Sequence, residues 1–296
     1  MGQAVHGHGD AGHRGRVGVS LALASAACYG VVDFAGGLLS RRMHFAVVTF
    51  LGQIGSLLPA LAFALVLPAE AVRSADVLWG VLSGAGSAAA MHFLNRGLSR
   101  GAMSVVVPVS AVTGVALSVV CGVAFLGDRP GPLAWWGICV TVPALWLVSG
   151  GRAGRGRPSP AGRVATDGLI ASLGVAVQYI GLAQADAASG VWPVVAGRVA
   201  AVLLLLPSAR RHSAQFRRPL GMSVRAVAIG AGAALGLILY LWATRQQMLA
   251  VAVVLASMYP AVPTLLGLTV LHERVTRAQA TGLLGAAGAV VLLSLG

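Results

Sequence analysis

The stretch SVVVPVSAVTGVALSVVCGVAFLGDR, residues 104–129, is apolar until it ends in the charged turn Asp128-Arg129. A continuous apolar run of about 20 residues is long enough to cross the hydrocarbon core of a bilayer as an α-helix. The run does not alternate between polar and apolar residues, as a strand of a membrane β-barrel does. The stretch therefore predicts a transmembrane helix.

The same pattern returns 145 residues later as LAVAVVLASMYPAVPTLLGLTVLHER, residues 249–274. Residues 96–149 align with 241–294 without a gap, and 13 of the 54 positions are identical. Because apolar sequences inflate identity, the rarer matches carry more weight. These are Arg100 with Arg245, Met103 with Met248, Gly122 with Gly267 and Gly137 with Gly282. The offset predicts two similar halves of the chain.

The composition extends this prediction to all 296 residues, of which 57% are hydrophobic and 10% are charged. A soluble domain carries about 25% charged residues, so the chain has too few polar side chains to cover the surface of a soluble enzyme. All 21 basic residues are arginines that lie mostly between apolar runs. The net charge of +13 therefore indicates membrane topology and contact with anionic lipid headgroups, not nucleic-acid binding.

Ten apolar segments are long enough to span a bilayer, which predicts an all-α integral membrane protein with ten transmembrane helices. They are residues 17–39, 44–67, 77–95, 103–126, 131–149, 164–184, 188–207, 223–243, 248–271 and 278–295. Because each half crosses the membrane five times, the two copies insert in opposite orientations. The predicted fold is two inverted five-helix repeats with a substrate site near the midplane between them.

Four regions follow from this count: a disordered, His- and Gly-rich tail at 1–16, a first repeat at 17–149, a basic linker at 150–163 and a second repeat at 164–296. The histidines of the tail leave a metal site as the alternative to disorder, although we predict no metal. Arg14 and Arg16 before an apolar run leave a signal peptide as an alternative to a first helix.

Polar residues inside the spans mark the predicted substrate pathway, because ionisable groups in lipid usually face a cavity or a partner. The repeat offset matches Asp33 with Gln178, Gln53 with Arg198, and Asn95 with Tyr240. Such matched positions should approach one central cavity from opposite halves. The predicted pathway residues are Asp33, Gln53, His92, Asn95, Gln178, Tyr179, Trp192, Arg198, Tyr240 and Tyr259.

Several of these residues have alternative roles. Arg198 could pair with Asp33 or with backbone carbonyls, contact a carboxylate of the substrate, or extend to the membrane surface. Asp33 is either a proton or cation site or a packed, hydrogen-bonded acid. The aromatic residues either stack on a substrate or pack in the core and at the membrane interface. Helix kinks are predicted at Pro108, Pro193, Pro260 and Pro263, because proline lacks the backbone N–H.

Two groups of residues resemble a known family repeat. The second half carries Met258-Tyr259-Pro260, then Leu271-His272-Glu273-Arg274, then a Gly-rich last apolar run. The first half carries Tyr29-Gly30 and Leu126-Gly127-Asp128-Arg129, followed by Gly137. These motifs resemble the EamA-type repeat of the drug/metabolite transporter superfamily. The resemblance implies a ten-helix carrier of two inverted repeats that moves small metabolites or drugs.

The first half departs from that pattern at Gly114-Val115, where the second half has Tyr-Pro, and Asp128 replaces the usual glutamate. His272 stands where the family often has glycine. For the turns that contain Asp128 and Glu273, anchoring of a helix end is favoured over substrate contact.

The arginines divide unevenly between the two membrane faces. If the connections between the ten predicted helices are numbered in chain order, the odd-numbered ones carry 15 arginines. The termini and the even-numbered connections carry 5, and Arg198 lies inside a predicted span. Since positive residues concentrate on the cytoplasmic side, the odd-numbered connections are predicted to be cytoplasmic.

The sequence contains no Gly-x-x-x-x-Gly-Lys-Ser/Thr loop for ATP, so a gradient or substrate exchange must supply the energy. We predict a secondary transporter of the cell (inner or plasma) membrane that works by alternating access, with efflux favoured. The alternatives are a non-transporting scaffold or accessory subunit and, with only eight acids, a membrane enzyme. Predicted partners are the lipid bilayer, a small-molecule substrate and a proton or other coupling ion. No cofactor, catalytic residue or nucleic acid is predicted, and a homodimer stays open.

Overall fold

The computed structural model describes residues 6–101, 103, 106–110, 112–113, 131–148, 160–217, 219–246 and 259–295. In this part of the chain the regular structure is helical, without strands. Nine α-helices are described: α1 (His6–Ser40), α2 (Phe45–Val66), α3 (Ser74–Arg100), α4 (Pro132–Val148), α5 (Pro160–Gln184), α6 (Trp192–Arg211), α7 (Leu220–Gln246), α8 (Ala261–Thr269) and α9 (Arg277–Leu295). Short 3₁₀ helices at Ala187–Ser189 and Ser213–Arg217 precede α6 and α7.

Among the residues that the structure describes, five helical stretches are long and apolar enough to cross a membrane. They are Val17–Ser40, Phe45–Val66, Ser74–Arg100, Trp192–Arg211 and Leu220–Leu239. The chain is therefore a multi-pass membrane protein. The predicted span 103–126 falls largely outside the described residues, and the predicted span 248–271 is described only from residue 259 onward. The count of ten helices therefore stays a prediction.

Two boundaries differ from the sequence prediction. Residues 6–16, predicted as part of a disordered tail, are the first turns of α1, because extending an existing helix costs far less than nucleating one. The predicted span at 188–207 begins as α6 only at Trp192, and Pro193 lies in its first turn. A proline at that position loses no intrahelical hydrogen bond, so Pro193 opens a helix and does not kink one.

The long helices form two bundles, and each bundle contains helices from both halves of the sequence. In bundle A, α7 packs against α1 and α2; in bundle B, α3 packs against α5 and α6. Elsewhere α4 packs against α9. The repeat offset matches α1 with α5, α2 with α6, and α3 with α7. Exchanging the matched helices converts bundle A into bundle B, as a twofold relation between the halves requires.

Glycines allow the helices inside each bundle to touch backbone to backbone. A Cβ atom on Gly230 would overlap the carbonyl oxygen of Gly52 in bundle A, and one on Gly84 would overlap that of Gly197 in bundle B. Small residues at such crossings allow the packing that holds helices together in lipid. Gly52 and Gly197 are matched by the repeat offset, so the two crossings correspond.

The connections divide between two ends of the bundles. At one end, Arg41 after α1 lies against Gly101 after α3, and His44 lies against His212 after α6. We call this end the arginine-rich face. At the other end, the backbone N–H of Glu70 donates to the carbonyl of Ala188 at 3.0 Å, which joins the α2–α3 and α5–α6 connections. We call it the opposite face.

Candidate functional site

A polar cluster lies between α2, α3 and α6. The guanidinium of Arg198 donates from Nη1 to Gln53 Oε1 at 2.9 Å and to Ser87 Oγ at 2.7 Å. Gln53 Nε2 also donates to Ser87 Oγ, at 3.5 Å. Gln53 and Ser87 are buried, and Arg198 is half-buried. We call these three residues the Arg198 cluster; it places a positive charge among neutral acceptors inside the spans.

Gln53 and Arg198 are one of the pairs that the repeat offset matches, and the structure brings them into direct contact. They meet inside the spans, where α2 packs against α6.

A small cavity adjoins the cluster and brings in another predicted pathway residue. Gln178, Ser83 and Leu182 line it together with Ser87 and Arg198. Its volume of about 10 Å³ holds no more than a single water molecule. In this conformation the cavity is too small for a metabolite.

A second polar contact joins α2 to α3. Asn95 Nδ2 donates to Thr49 Oγ1 at 3.0 Å, and both side chains are buried. Thr49 lies one turn before Gln53 on the same face of α2. Polar groups therefore continue from Asn95 to the Arg198 cluster along the boundary between α2 and α3.

The sequence analysis missed Thr49, Ser83 and Ser87. Their signal was their spacing: Thr49 with Gln53, and Ser83 with Ser87, recur at i and i+4 and so share a helix face. Hydroxyl side chains are common inside membrane helices, where they also bond to their own backbone. Thr49 does so as well, by donating to the carbonyl of Phe45 at 2.9 Å.

Asp33 lies on α1 and is half-buried. Within the described residues it forms no hydrogen bond or ion pair, so the Asp33–Arg198 pair that the sequence left open is not formed. One turn away on the same face, the ring of Tyr29 meets that of Tyr259 edge-on, with centroids 6.4 Å apart. Asp33 therefore sits between this aromatic pair and Gly36, which lies against Asn95.

Other predicted pathway residues lie away from the Arg198 cluster. His92 packs edge-on against Phe45, with centroids 5.0 Å apart, near the arginine-rich face. Trp192 packs against the apolar cluster of Ala60 and Val195, near the opposite face. Tyr179 and Tyr240 lie in α5 and α7, and their side chains fall outside the described residues.

Three of the predicted kink prolines lie near the fourth and ninth predicted spans. Pro260 precedes α8 and Pro263 lies in its first turn, while Pro108 is in the helical segment 106–110. Pro108 and Pro260 line a cavity of about 420 Å³, together with Val112, Thr264, Ala286 and Val290 among others. Because its lining is almost wholly apolar, this cavity suits a hydrocarbon chain better than a polar solute.

Comparison with known proteins supports the family resemblance for the first half of the chain. Residues 16–150 match the EamA-like transporter family. The EamA region coincides with the predicted first repeat, which confirms the resemblance inferred from its motifs. It contains α1, α2 and α3, and therefore Asp33, Gln53 and Asn95.

The fold has a counterpart among solved structures. One described only as "Crystal structure of protein" aligns with 90% of this chain and 98% of its own, with a TM-score of 0.56 and 15% identity. At that identity the similarity shows the fold alone. No curated protein matches the sequence. The EamA region indicates a membrane transporter of the drug/metabolite transporter superfamily.

Proposed function

We propose that this protein is a secondary transporter that moves small metabolites or drugs, with efflux favoured, by alternating access between two inverted five-helix repeats. The contact between Gln53 and Arg198 carries the proposal, because two residues matched by the repeat meet inside the spans. Charged groups within a membrane are costly and usually mark a transport pathway.

The polar contacts join the two bundles to each other. Gln53 and Thr49 belong to bundle A, whereas Arg198 and Asn95 belong to bundle B. Rocking one bundle against the other separates these side chains and exposes their donors and acceptors to a solute. The predicted pathway residues then alternate between contact with each other and contact with substrate.

Two side chains have the chemistry for distinct roles in this cycle. The planar guanidinium of Arg198 can bind a carboxylate through two parallel hydrogen bonds. The carboxyl group of Asp33 can take up and release a proton, which would couple transport to a pH gradient. The large apolar cavity near Pro108 lies outside this polar pathway.

The first test is transport in reconstituted liposomes, with amino acids, nucleosides, sugars and cationic drugs, and with and without a pH gradient. We expect one class to move in the parent protein. Arg198→Ala should slow that movement about tenfold or more, since a hydrogen bond to a charged group contributes about 1.5–3 kcal/mol. Asp33→Asn should abolish the response to pH while the protein stays folded.

Arg217→Ala is the matched control, because Arg217 is exposed on the connection between α6 and α7. It should transport at the parent rate. If folded parent protein moves no class of solute, the scaffold or accessory-subunit alternative gains support. Equal rates in the parent and Arg198→Ala would remove Arg198 from the pathway.

A further inference from the structure

We propose that Arg41 and Glu273 form a gate that closes the arginine-rich face between the two bundles; this proposal rests on the transport function proposed above. Arg41 follows α1 of bundle A, and its Nη2 lies 3.4 Å from Glu273 Oε1. The same guanidinium donates to two carbonyls at the end of α3 in bundle B, from Nη2 to Gly101 at 3.0 Å and from Nε to Leu98 at 3.3 Å.

Glu273 adds a third segment to this closure. It lies between α8 and α9, and its Oε1 also accepts a hydrogen bond from the N–H of Met103 at 2.9 Å. Gly267 leaves room for the carboxylate, because a Cβ atom there would lie 2.8 Å from Glu273 Oε2. The Glu273 side chain is 10% exposed and the Arg41 side chain is 32% exposed, so the ion pair reaches from the surface into the protein.

An apolar layer lies beneath the ion pair. It consists of the fully buried residues Leu98, Met103, Val106 and Val107, packed against Phe34, Leu38, Leu94, Tyr259 and Leu271. Gly37 allows α1 to approach it, because a Cβ atom there would lie 2.8 Å from Met103 Cε. Phe34 and Leu38 follow Asp33 along α1 toward the arginine-rich face, so a solute leaving Asp33 in that direction meets first the apolar layer and then the ion pair.

The Arg41–Glu273 ion pair differs from the neighbouring Arg96–Asp167 pair on the same face, because the contacts of Arg41 cross the boundary between the bundles. The contacts of Arg41 join bundle A to the end of α3 in bundle B and must break when the bundles separate there. Arg96 also pairs with an acid, donating from Nε to Asp167 Oδ1 at 3.0 Å, but α3 and α5 both belong to bundle B. A partly exposed ion pair adds little to folding stability, which suits a contact that opens once in each cycle.

The test measures access to position 33 from the arginine-rich face. Full-length protein with Asp33→Cys as its single cysteine is placed in oriented vesicles, and a membrane-impermeant maleimide is added on that side. Arg41→Gln and Glu273→Gln should each raise the labelling rate at least tenfold over the Asp33→Cys parent. Arg41→Lys, which keeps the charge, should stay near the parent rate, and Arg96→Gln should not change it.

Size-exclusion chromatography and thermal midpoints establish that each variant is folded. The gate is rejected if labelling in folded Arg41→Gln and Glu273→Gln stays at the parent rate, or if Arg96→Gln accelerates it equally. Because labelling needs no substrate, its result separates from the transport assay. Faster labelling in a protein that moves no solute would retain the gate and reject the transport function.

Discussion

At the scale of the residue, His44 and His212 make another contact between the bundles at the arginine-rich face. Their imidazole rings stack with centroids 3.5 Å apart, and His44 Nδ1 accepts a hydrogen bond from the N–H of Ala46 at the start of α2. Burial, followed by His212 and Arg100, lowers the pKa of His44 from its ordinary value of 6.5, because each disfavours the charged ring.

This pKa shift predicts how stability depends on pH. An unfolded chain takes up a proton at His44 near pH 6.5, whereas the folded protein takes it up only at lower pH. The unfolded state therefore binds more protons, and stability falls as the pH falls below about 6.5. Thermal midpoints in detergent should decrease from pH 7.5 to pH 5.5, and the decrease should be smaller in His44→Asn, which keeps an acceptor at the start of α2.

His272→Asn controls for the loss of any histidine. His272 is exposed and has a φ of 53°, a conformation that asparagine tolerates well. The thermal midpoint of His272→Asn should change with pH as that of the parent does. A His44→Asn profile indistinguishable from the parent would show that His44 does not limit stability in acid.

At the scale of the element, helix crossings depend on single glycines. Gly84→Ala and Gly230→Ala each place a methyl group where the carbonyl oxygen of a neighbouring helix already lies. Overpacking of this kind costs about 1–3 kcal/mol, so both variants should melt at lower temperature than the parent. Gly221→Ala is the matched control, because nothing lies within 4 Å of its new methyl group. Equal midpoints for Gly84→Ala and Gly221→Ala would contradict this account of the crossings.

At the scale of the whole molecule, charge predicts orientation. The 15 arginines of the odd-numbered connections include Arg41, Arg96 and Arg274, whose connections the structure places at the arginine-rich face. Positive residues are retained on the cytoplasmic side, so this face should be cytoplasmic. In intact cells, a membrane-impermeant maleimide should label a single cysteine at Glu70→Cys on the opposite face and should reach Ser213→Cys only after permeabilisation. The reverse pattern would invert the orientation and place the gate outside.

Hydropathy alone predicted most described helices to within a few residues. The length of an apolar run is a local property of the sequence, and the thickness of the bilayer sets the length that a spanning helix needs. Predictions from local sequence patterns were wrong where they depended on the residue at which a helix begins. Pro193 was predicted to kink a helix because the sequence does not show that α6 begins beside it. The His- and Gly-rich tail was predicted as disordered, although α1 begins at His6.

The contacts of the candidate site were only partly predicted from the sequence. The repeat offset predicted that Gln53 and Arg198 belong together, because a twofold relation brings matched positions near one axis. It did not predict Ser87 as their common partner, and it left open an Asp33–Arg198 pair that is not formed. The sequence also did not show that His92 packs against Phe45 or that Trp192 packs against Ala60 and Val195, because these contacts depend on how the helices pack.

The chain order of the residues determined the membrane character, the helices and the match between the halves, all of which arise from local composition and spacing. Only the tertiary structure decided that Arg41 meets Glu273, 232 residues away, and that helices from both halves mix in each bundle. Such contacts depend on how whole helices pack, and packing in lipid is set by shape and backbone approach at a few small residues. No local pattern encodes which distant backbone will fit there.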